Sequence, residues 1–228
     1  MRILALETSS RLGSVAALHD DQLLLEVSLE PTTRTAQSLV PGIQKCLRDI
    51  DWNGPDIDAV AVTHGPGSFT GLRLGVTTAK TLAYVWESRL IGINTLATIA
   101  TQTPDNIQHV VAVLDAYRQQ TFCAAFLRNK HGTWQETLPT CLVDDAQWIH
   151  WVPTSAAISG AGLQKFPETD LQNMHVVDRN HWQPRAATVG QLAYAALLTG
   201  HSDDIWQFVP QYFRQSAAEE KRNHTSSP

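Results

Sequence analysis

Cysteine is scarce in this 228-residue sequence: only Cys46, Cys123 and Cys141 occur. The count is odd and no CxxC spacing is present. Neither a disulfide framework nor a cysteine-based zinc site is expected, and three small buried hydrophobes are. Basic runs are missing too. Seventeen Lys and Arg against 22 Asp and Glu leave a net charge of −5, with a pI of about 5.9. The longest basic run is the pair Lys221-Arg222, so the chain alone shows no obvious face for gripping nucleic acid. No apolar stretch approaches the roughly 18–20 residues of a membrane span. The longest, residues 57–62 and 109–114, are strand-sized. The N-terminal residues turn polar at Glu7-Thr8-Ser9, too soon for a secretory signal. A soluble, cytoplasmic protein is expected. The nine histidines form neither HExxH nor an i, i+4 pair, so no metal site is expected. No GxSxG elbow is present.

What is present is core material: 43% hydrophobic and 17% charged residues. That suffices for one large or two small domains and excludes wholesale disorder. Apolar patterning predicts strands over 2–7, 13–19 and 22–29, the last two joined by the tight turn Asp20-Asp21. A helix over 36–49, a strand over 57–63 and a long helix over 69–87 follow, then a strand over 90–93 and a short helix over 95–101. After Pro104-Asp105-Asn106 the order repeats: strands over 109–114, 121–127 and 133–142, a helix over 144–151, strands over 156–159 and 174–177, and a helix over 186–199 ended by Gly200. Antiparallel strands first, then helices and buried strands, in both halves: this pattern predicts a duplicated α/β unit. The expected division is a first lobe over 1–103, a second over 104–215 and a polar tail over 216–228.

The most distinctive stretch is His64-Gly65-Pro66-Gly67-Ser68-Phe69-Thr70-Gly71-Leu72-Arg73. It is a glycine-rich loop between a buried strand and a helix start, with Ser68 as the N-cap. Free amides and the positive helix end suit an anion. Glycines that permit a tight turn and close packing account for the same residues. The string is neither a Walker A loop nor GxGxxG, because Thr70 stands at the sixth position. In the helix that follows, Phe69, Leu72, Arg73, Val76, Lys80 and Ala83 share one face at 100° per residue. Leu74, Thr78, Leu82 and Val85 share the opposite face, with Gly71, Gly75 and Ala79 as a small-residue stripe beside it. A two-faced helix is either buried between lobes or covered by a partner. Glu7 and Thr8, at the end of the first strand, could hold a metal-bound phosphate or satisfy their own turn. Asp144-Asp145 reads as a helix N-terminus rather than a catalytic pair.

The N-terminal hundred residues resemble the bacterial TsaB (YeaZ) family of tRNA threonylcarbamoyladenosine biosynthesis proteins. The resemblance rests on Leu4-Ala5-Leu6-Glu7-Thr8-Ser9 with Gly13-Ser14-Val15-Ala16, on Gln37-Ser38-Leu39-Val40-Pro41, and above all on Gly65-Pro66-Gly67-Ser68-Phe69-Thr70-Gly71-Leu72-Arg73. Leu114-Asp115-Ala116-Tyr117-Arg118 and Pro210-Gln211-Tyr212-Phe213-Arg214 are similar to two further family segments. The resemblance implies an actin/sugar-kinase/Hsp70-like (ribonuclease H-like) α/β fold of two similar lobes with mixed sheets. It implies a non-catalytic subunit in making N6-threonylcarbamoyladenosine at position 37 of ANN-decoding tRNAs. Its implied partners are the catalytic paralogue TsaD and the ATPase TsaE, with tRNA reached through the complex.

The pairing surface implied is the helix after the Gly-Pro-Gly loop, here assigned to Phe69, Leu72, Arg73, Val76, Lys80 and Ala83. The isolated chain is expected to form a homodimer through the same helix. No cofactor is expected to bind tightly, with ATP or ADP at a subunit junction; the phosphate contacts assigned are Glu7, Thr8, Gly65, Gly67 and Ser68. The paralogue's two metal-binding histidines correspond to Thr95 and Ile99, which offer no imidazole. No catalytic residue is assigned. The competing reading is a small nucleotide-dependent kinase-like or hydrolase enzyme of the same fold.

Overall fold

A computed structural model describes residues 1–30, 35–130 and 132–214. The tail expected over 216–228 lies outside the described residues. Sequence alternation sets the first sheet. Strands β1 (Arg2–Glu7), β2 (Ser14–His19) and β3 (Gln22–Ser28) form an antiparallel meander, and β4 (Ala59–Gly65) and β5 (Arg89–Asn94) extend it in parallel, in the order β3-β2-β1-β4-β5. Successive β1 side chains take opposite faces. Leu4 and Leu6 pack into one core with helix α1 (Thr35–Asp49) and helix α2 (Phe69–Val85); Ile3 and Ala5 pack into another on the far face.

The second sheet repeats this plan. Strands β6 (His109–Asp115), β7 (Gln120–Arg128) and β8 (Trp134–Asp144) form the meander, and β9 (Ala157–Ser159) and β10 (His175–Val176) add in parallel, in the order β10-β9-β6-β7-β8. Helix α4 (Asp145–Trp151) follows the meander as α1 follows the first one, and Trp148 on it is fully buried beside Val111, Val113 and Ile158. The short α5 (Glu168–Leu171) was not foreseen; with four residues it is too brief for a periodic signal.

Two helices pack across the expected boundary at 103/104. Helix α3 (Thr95–Thr101) follows β5 in sequence but buries Leu96, Ile99 and Ala100 against β6, β7 and β8 of the second sheet. Helix α6 (Ala186–Leu198) follows the second sheet but packs on the first, seating Ala186, Val189, Ala193 and Leu197 over Ile3, Ala5, Leu18 and Ile91. Each half thus lends its last helix to the other. The N-terminus of α6 is fixed by the first lobe as well. Ala186 N–H donates to Ser14 Oγ at 2.8 Å, Ala187 N–H donates to Glu26 Oε1 at 3.2 Å, and the Arg185 guanidinium pairs with Glu26.

A fragment cut at the expected boundary, residues 1–103, therefore exposes Ile3, Ala5, Leu18, Ile91 and Ile93 to water. At about 1.5–3 kcal/mol for each of the four large apolar side chains, that loss is comparable with a typical domain's whole stability. The fragment should show no cooperative thermal transition by circular dichroism, whereas residues 1–214 should.

Candidate functional site

Helix α2 meets the end of β1 almost backbone to backbone. Ser68 caps it, its Oγ accepting from Gly71 N–H at 3.3 Å, as the sequence predicts. Ser68 N–H donates to Ser9 O at 2.7 Å. A Cβ on Gly71 would overlap Thr8 O, one on Gly75 would overlap Thr8 Oγ1, and one on Gly67 would overlap Ser9 O. Gly65 and Gly67 also sit at φ of 141° and 155°, where L side chains are strained. The small-residue stripe thus serves packing inside this chain.

Beneath that contact lies Glu7, wholly buried. Ser9 N–H donates to its Oε1 at 2.7 Å, the Ser9 hydroxyl donates to the same atom, and Ser10 Oγ reaches Oε2 at 3.2 Å. Thr63 Oγ1 stands 3.4 Å from Oε1. Burial outweighs these hydrogen bonds and pushes the carboxyl up to about 7. Thr8 is equally buried, and its Oγ1 has no hydrogen-bond partner among the described residues.

Two cavities flank the helix start. An interlobe cleft of about 890 Å³ is lined by Ser9, Ser10 and Arg11 from the first lobe and by Leu114, Gln164 and Lys165 from the second. A more apolar cavity of about 560 Å³ lies between Phe69, Leu72, Phe122, Tyr212 and Phe213. Gly67, Ser68, Asp115 and Tyr117 line both. Lys165 Nζ is neutralised: it pairs with Asp145 at 2.7 Å and Asp115 at 3.0 Å, and donates to Gln120 O at 2.6 Å.

The phosphate assignments divide accordingly. Gly67 and Ser68 reach the cleft. Glu7, Thr8 and Gly65 line neither cavity: Glu7 is sealed under the turn, Thr8 is pressed against α2, and Gly65 backs onto Gln211 O. The Ser68 amide and hydroxyl are already engaged inside the chain.

The assigned interface face of α2 is largely occupied within the chain. Leu72, Val76 and Ala83 are buried, Val76 and Ala83 in the first core. The rest of that face is held by the chain's own C-terminal strap, residues 201–214. Arg73 Nε donates to Tyr212 Oη at 2.9 Å, and the Arg73 guanidinium lies 4.0 Å from the Phe69 ring centroid. Phe69 stacks on Tyr212 at 4.6 Å, and Lys80 Nζ donates to Phe208 O at 2.8 Å. The strap is tied down along its length. Asp203 N–H donates to Leu90 O at 2.8 Å, Gly92 N–H donates to Asp203 Oδ2 at 2.7 Å, and Gln211 N–H donates to His64 O at 2.7 Å. Arg214 closes onto Ala116 O and Gln120 of the second lobe. Apart from Arg73, what α2 leaves outward is Thr70, Thr77, Thr81, Tyr84 and Val85, with Leu74 half-buried among them and the Tyr84 ring edge-on to Trp206 of the strap at 5.4 Å.

The sequence reading also missed the β6–β7 turn. Tyr117, Arg118 and Gln119 all take left-handed backbone (φ 57°, 53° and 59°) with no Gly or Asn to advertise it, and Tyr117 is exposed at the mouth of both cavities. Lys165 had no signal either, since its partners come from three separate segments. Among the described residues, no group of three or more His, Cys, Asp or Glu could hold a metal ion. No helix there is long and apolar enough to cross a membrane.

A family profile for TsaD, tRNA N6-adenosine threonylcarbamoyltransferase, matches residues 32–222. The tRNA threonylcarbamoyladenosine biosynthesis protein TsaB of Escherichia coli K12 is 30% identical, covering 97% of this chain and 98% of that protein. This chain belongs to the TsaB family. The TsaB of Haemophilus influenzae is 26% identical over 97% of both chains. Among solved structures, YeaZ from Pseudomonas aeruginosa superposes with a TM-score of 0.78 at 23% identity, covering 92% of this chain and 99% of that one. The two-lobed α/β fold expected from the sequence, of the actin/sugar-kinase/Hsp70-like class, is the one observed in this TsaB-family chain.

Glu7 gives the site a pH signature. Its folded pKa of about 7 exceeds the ordinary 4.5, so the folded state holds the proton more tightly than the unfolded chain. Glu7's contribution is full below about pH 4.5 and is lost as pH rises through about 7, by roughly 3 kcal/mol. Glu7→Gln should remove that slope and gain stability at pH 8 relative to the parent, read by urea denaturation at pH 5 and pH 8.

Proposed function

We propose that this chain is a non-catalytic subunit of the machinery that makes N6-threonylcarbamoyladenosine at position 37 of tRNA, acting by pairing with the metal-bearing paralogue TsaD and with the ATPase TsaE. The observation that carries the reading is the near full-length match to proteins named for that biosynthesis. Thr95 and Ile99, at the paralogue's histidine positions, are both buried, and Ile99 belongs to the second lobe's apolar core. Glu7 is sealed from both cavities, and Lys165 is neutralised by Asp115 and Asp145. A hydrolase reading needs a nucleophile paired with a base, and the cleft's Ser9, Ser10 and Ser68 have no histidine beside them among its lining residues, which do include Arg11 and Asp115. Any ATP or ADP would sit at a subunit junction, where Gly67 and Ser68 reach open space.

The deciding experiment is modified-adenosine formation on substrate tRNA by a reconstituted mixture of threonylcarbamoyl-AMP synthase, TsaD and TsaE, with and without this chain. Product should appear only when the chain is added, and the chain alone should form none. Product formed equally without it, or by it alone, refutes the proposal.

The pairing surface is re-placed on the outward stripe of α2. Thr70, Leu74, Thr77, Thr81 and Tyr84 follow i, i+4, i+7, i+11, i+14, the spacing of a helix seam. Small side chains there let a partner helix approach. Thr77→Arg with Thr81→Arg should leave the thermal transition unchanged and weaken pairing with TsaD at least tenfold, about 1.4 kcal/mol, by titration calorimetry. The same variant should prevent self-association of the isolated chain.

A further inference from the structure

Cys123 on β7 and Cys141 on β8 are directly opposed across an antiparallel pair, with their sulfurs 3.7 Å apart. Both are free thiols, Cys123 buried and Cys141 half-buried. Opposed antiparallel residues already bring Cβ atoms to about 4.5–5.5 Å, and a disulfide needs about 3.5–4.5 Å between them with sulfurs at about 2.05 Å. A small approach of one strand closes the gap.

β8 is built to yield. It is the outer strand of the second sheet. Its pairing steps from Cys123↔Cys141 to Ala125↔Leu138, and then to Phe126↔Glu136, so it carries an extra residue at each step. Pro139, inside the first irregularity, has no N–H to give the ladder. Bulges of this kind let a strand bend locally while the register beyond them holds.

We propose that Cys123 and Cys141 form a cross-strand dithiol–disulfide couple, a modification site that takes oxidising equivalents from low-molecular-weight disulfides such as glutathione disulfide. Exposure fixes the order of events. The Cys141 thiolate attacks one sulfur of glutathione disulfide; that S–S bond breaks, one glutathione thiolate leaves, and a mixed disulfide forms. Cys123 then gives up its proton to solvent, and its sulfur attacks Cys141 Sγ and expels the second glutathione thiolate. Two protein thiols are oxidised to one disulfide, and one glutathione disulfide is reduced to two thiols. Burial and the neighbouring Cys141 hold the Cys123 thiol above its usual range, so the second step is the slower one. Cys46, buried on α1 and pushed up to about 11, has no such partner and serves as an internal control.

The test uses the full chain, reduced and desalted, then incubated with glutathione disulfide at pH 8, acid-quenched, alkylated and peptide-mapped. A linked 123–141 peptide pair, a loss of about 2 Da from the intact chain and an alkylated Cys46 are expected. Cys123→Ser should stop at a glutathione adduct on Cys141. Cys141→Ser, or Cys141→Ala should the serine variant not fold, should leave Cys123 unmodified. The proposal is overturned if both thiols are recovered free in the native chain while a urea-unfolded control oxidises. A disulfide that joins Cys46 or two separate chains, or a Cys123 adduct in the Cys141 variant, overturns it too.

Discussion

The contact between α2 and the end of β1 constrains everything around it. Three glycines, Gly67, Gly71 and Gly75, allow the helix to lie on Thr8 and Ser9 with no side chain between. That approach seals Glu7 below the turn and leaves Thr8 Oγ1 without a hydrogen-bond partner among the described residues. A buried unpaired hydroxyl costs about 1–3 kcal/mol, and the apolar face of α2 must offset it. Leu72, Val76, Ala79 and Ala83 do so by burial, Val76, Ala79 and Ala83 within the first core. The helix cannot rotate about its axis to present a different face without driving a Cβ into Thr8, so its outward stripe is fixed by the same three glycines.

The two lobes are coupled at more than a hinge. Helix α3 packs on the second sheet and α6 on the far face of the first, so separating the lobes strips a helix from each. The C-terminal strap adds a third tie. It crosses β5 and α2 of the first lobe and ends with Arg214 on Ala116 O and Gln120 of the second. Asp203, His64, Phe208 and Tyr212 thereby join one chain of contacts from the first sheet to the cleft mouth, with the His64 ring 5.6 Å from Phe208. Burial lowers the pKa of His64, which keeps that link uncharged at neutral pH. Opening the cleft by rigid-body motion would break the strap's hydrogen bonds or unseat a swapped helix.

The strands and long helices were legible because their side-chain periods are local. The short apolar run in Arg2–Glu7 states a buried strand, and the 3.6-residue period of Phe69–Val85 states a helix and its faces. The order of meander, helix and parallel strand was legible too, and it repeats across the two sheets. What periodicity lacks is the identity of whatever covers a face. The spacing that groups Leu72, Val76 and Ala83 marks an apolar face, and an apolar face on a sheet's own helix looks the same as one awaiting a partner. The strap that holds Phe69, Arg73 and Lys80 lies more than a hundred residues away, in a stretch with no secondary-structure period. The helix exchange is likewise a tertiary fact, since α3 and α6 each follow their own strand by a short connection. At Glu7 the residue type suggested chemistry, while its burial depends on Thr63 and α2, both distant in sequence.

These constraints bear on the proposed role, in which the chain presents a surface to a partner. Catalysis in a cleft needs exposed groups held near their working protonation state, and closure of the walls around the reactant. Here the buried carboxylate is the wrong side of the turn, and the cleft lysine is held by two carboxylates and a carbonyl. The walls are tied by two exchanged helices and a strap. Each of these features removes freedom from the cleft and adds rigidity to the outer stripe of α2. In the pairing proposed above, a pre-formed stripe would lose little conformational entropy when a partner helix docks on it.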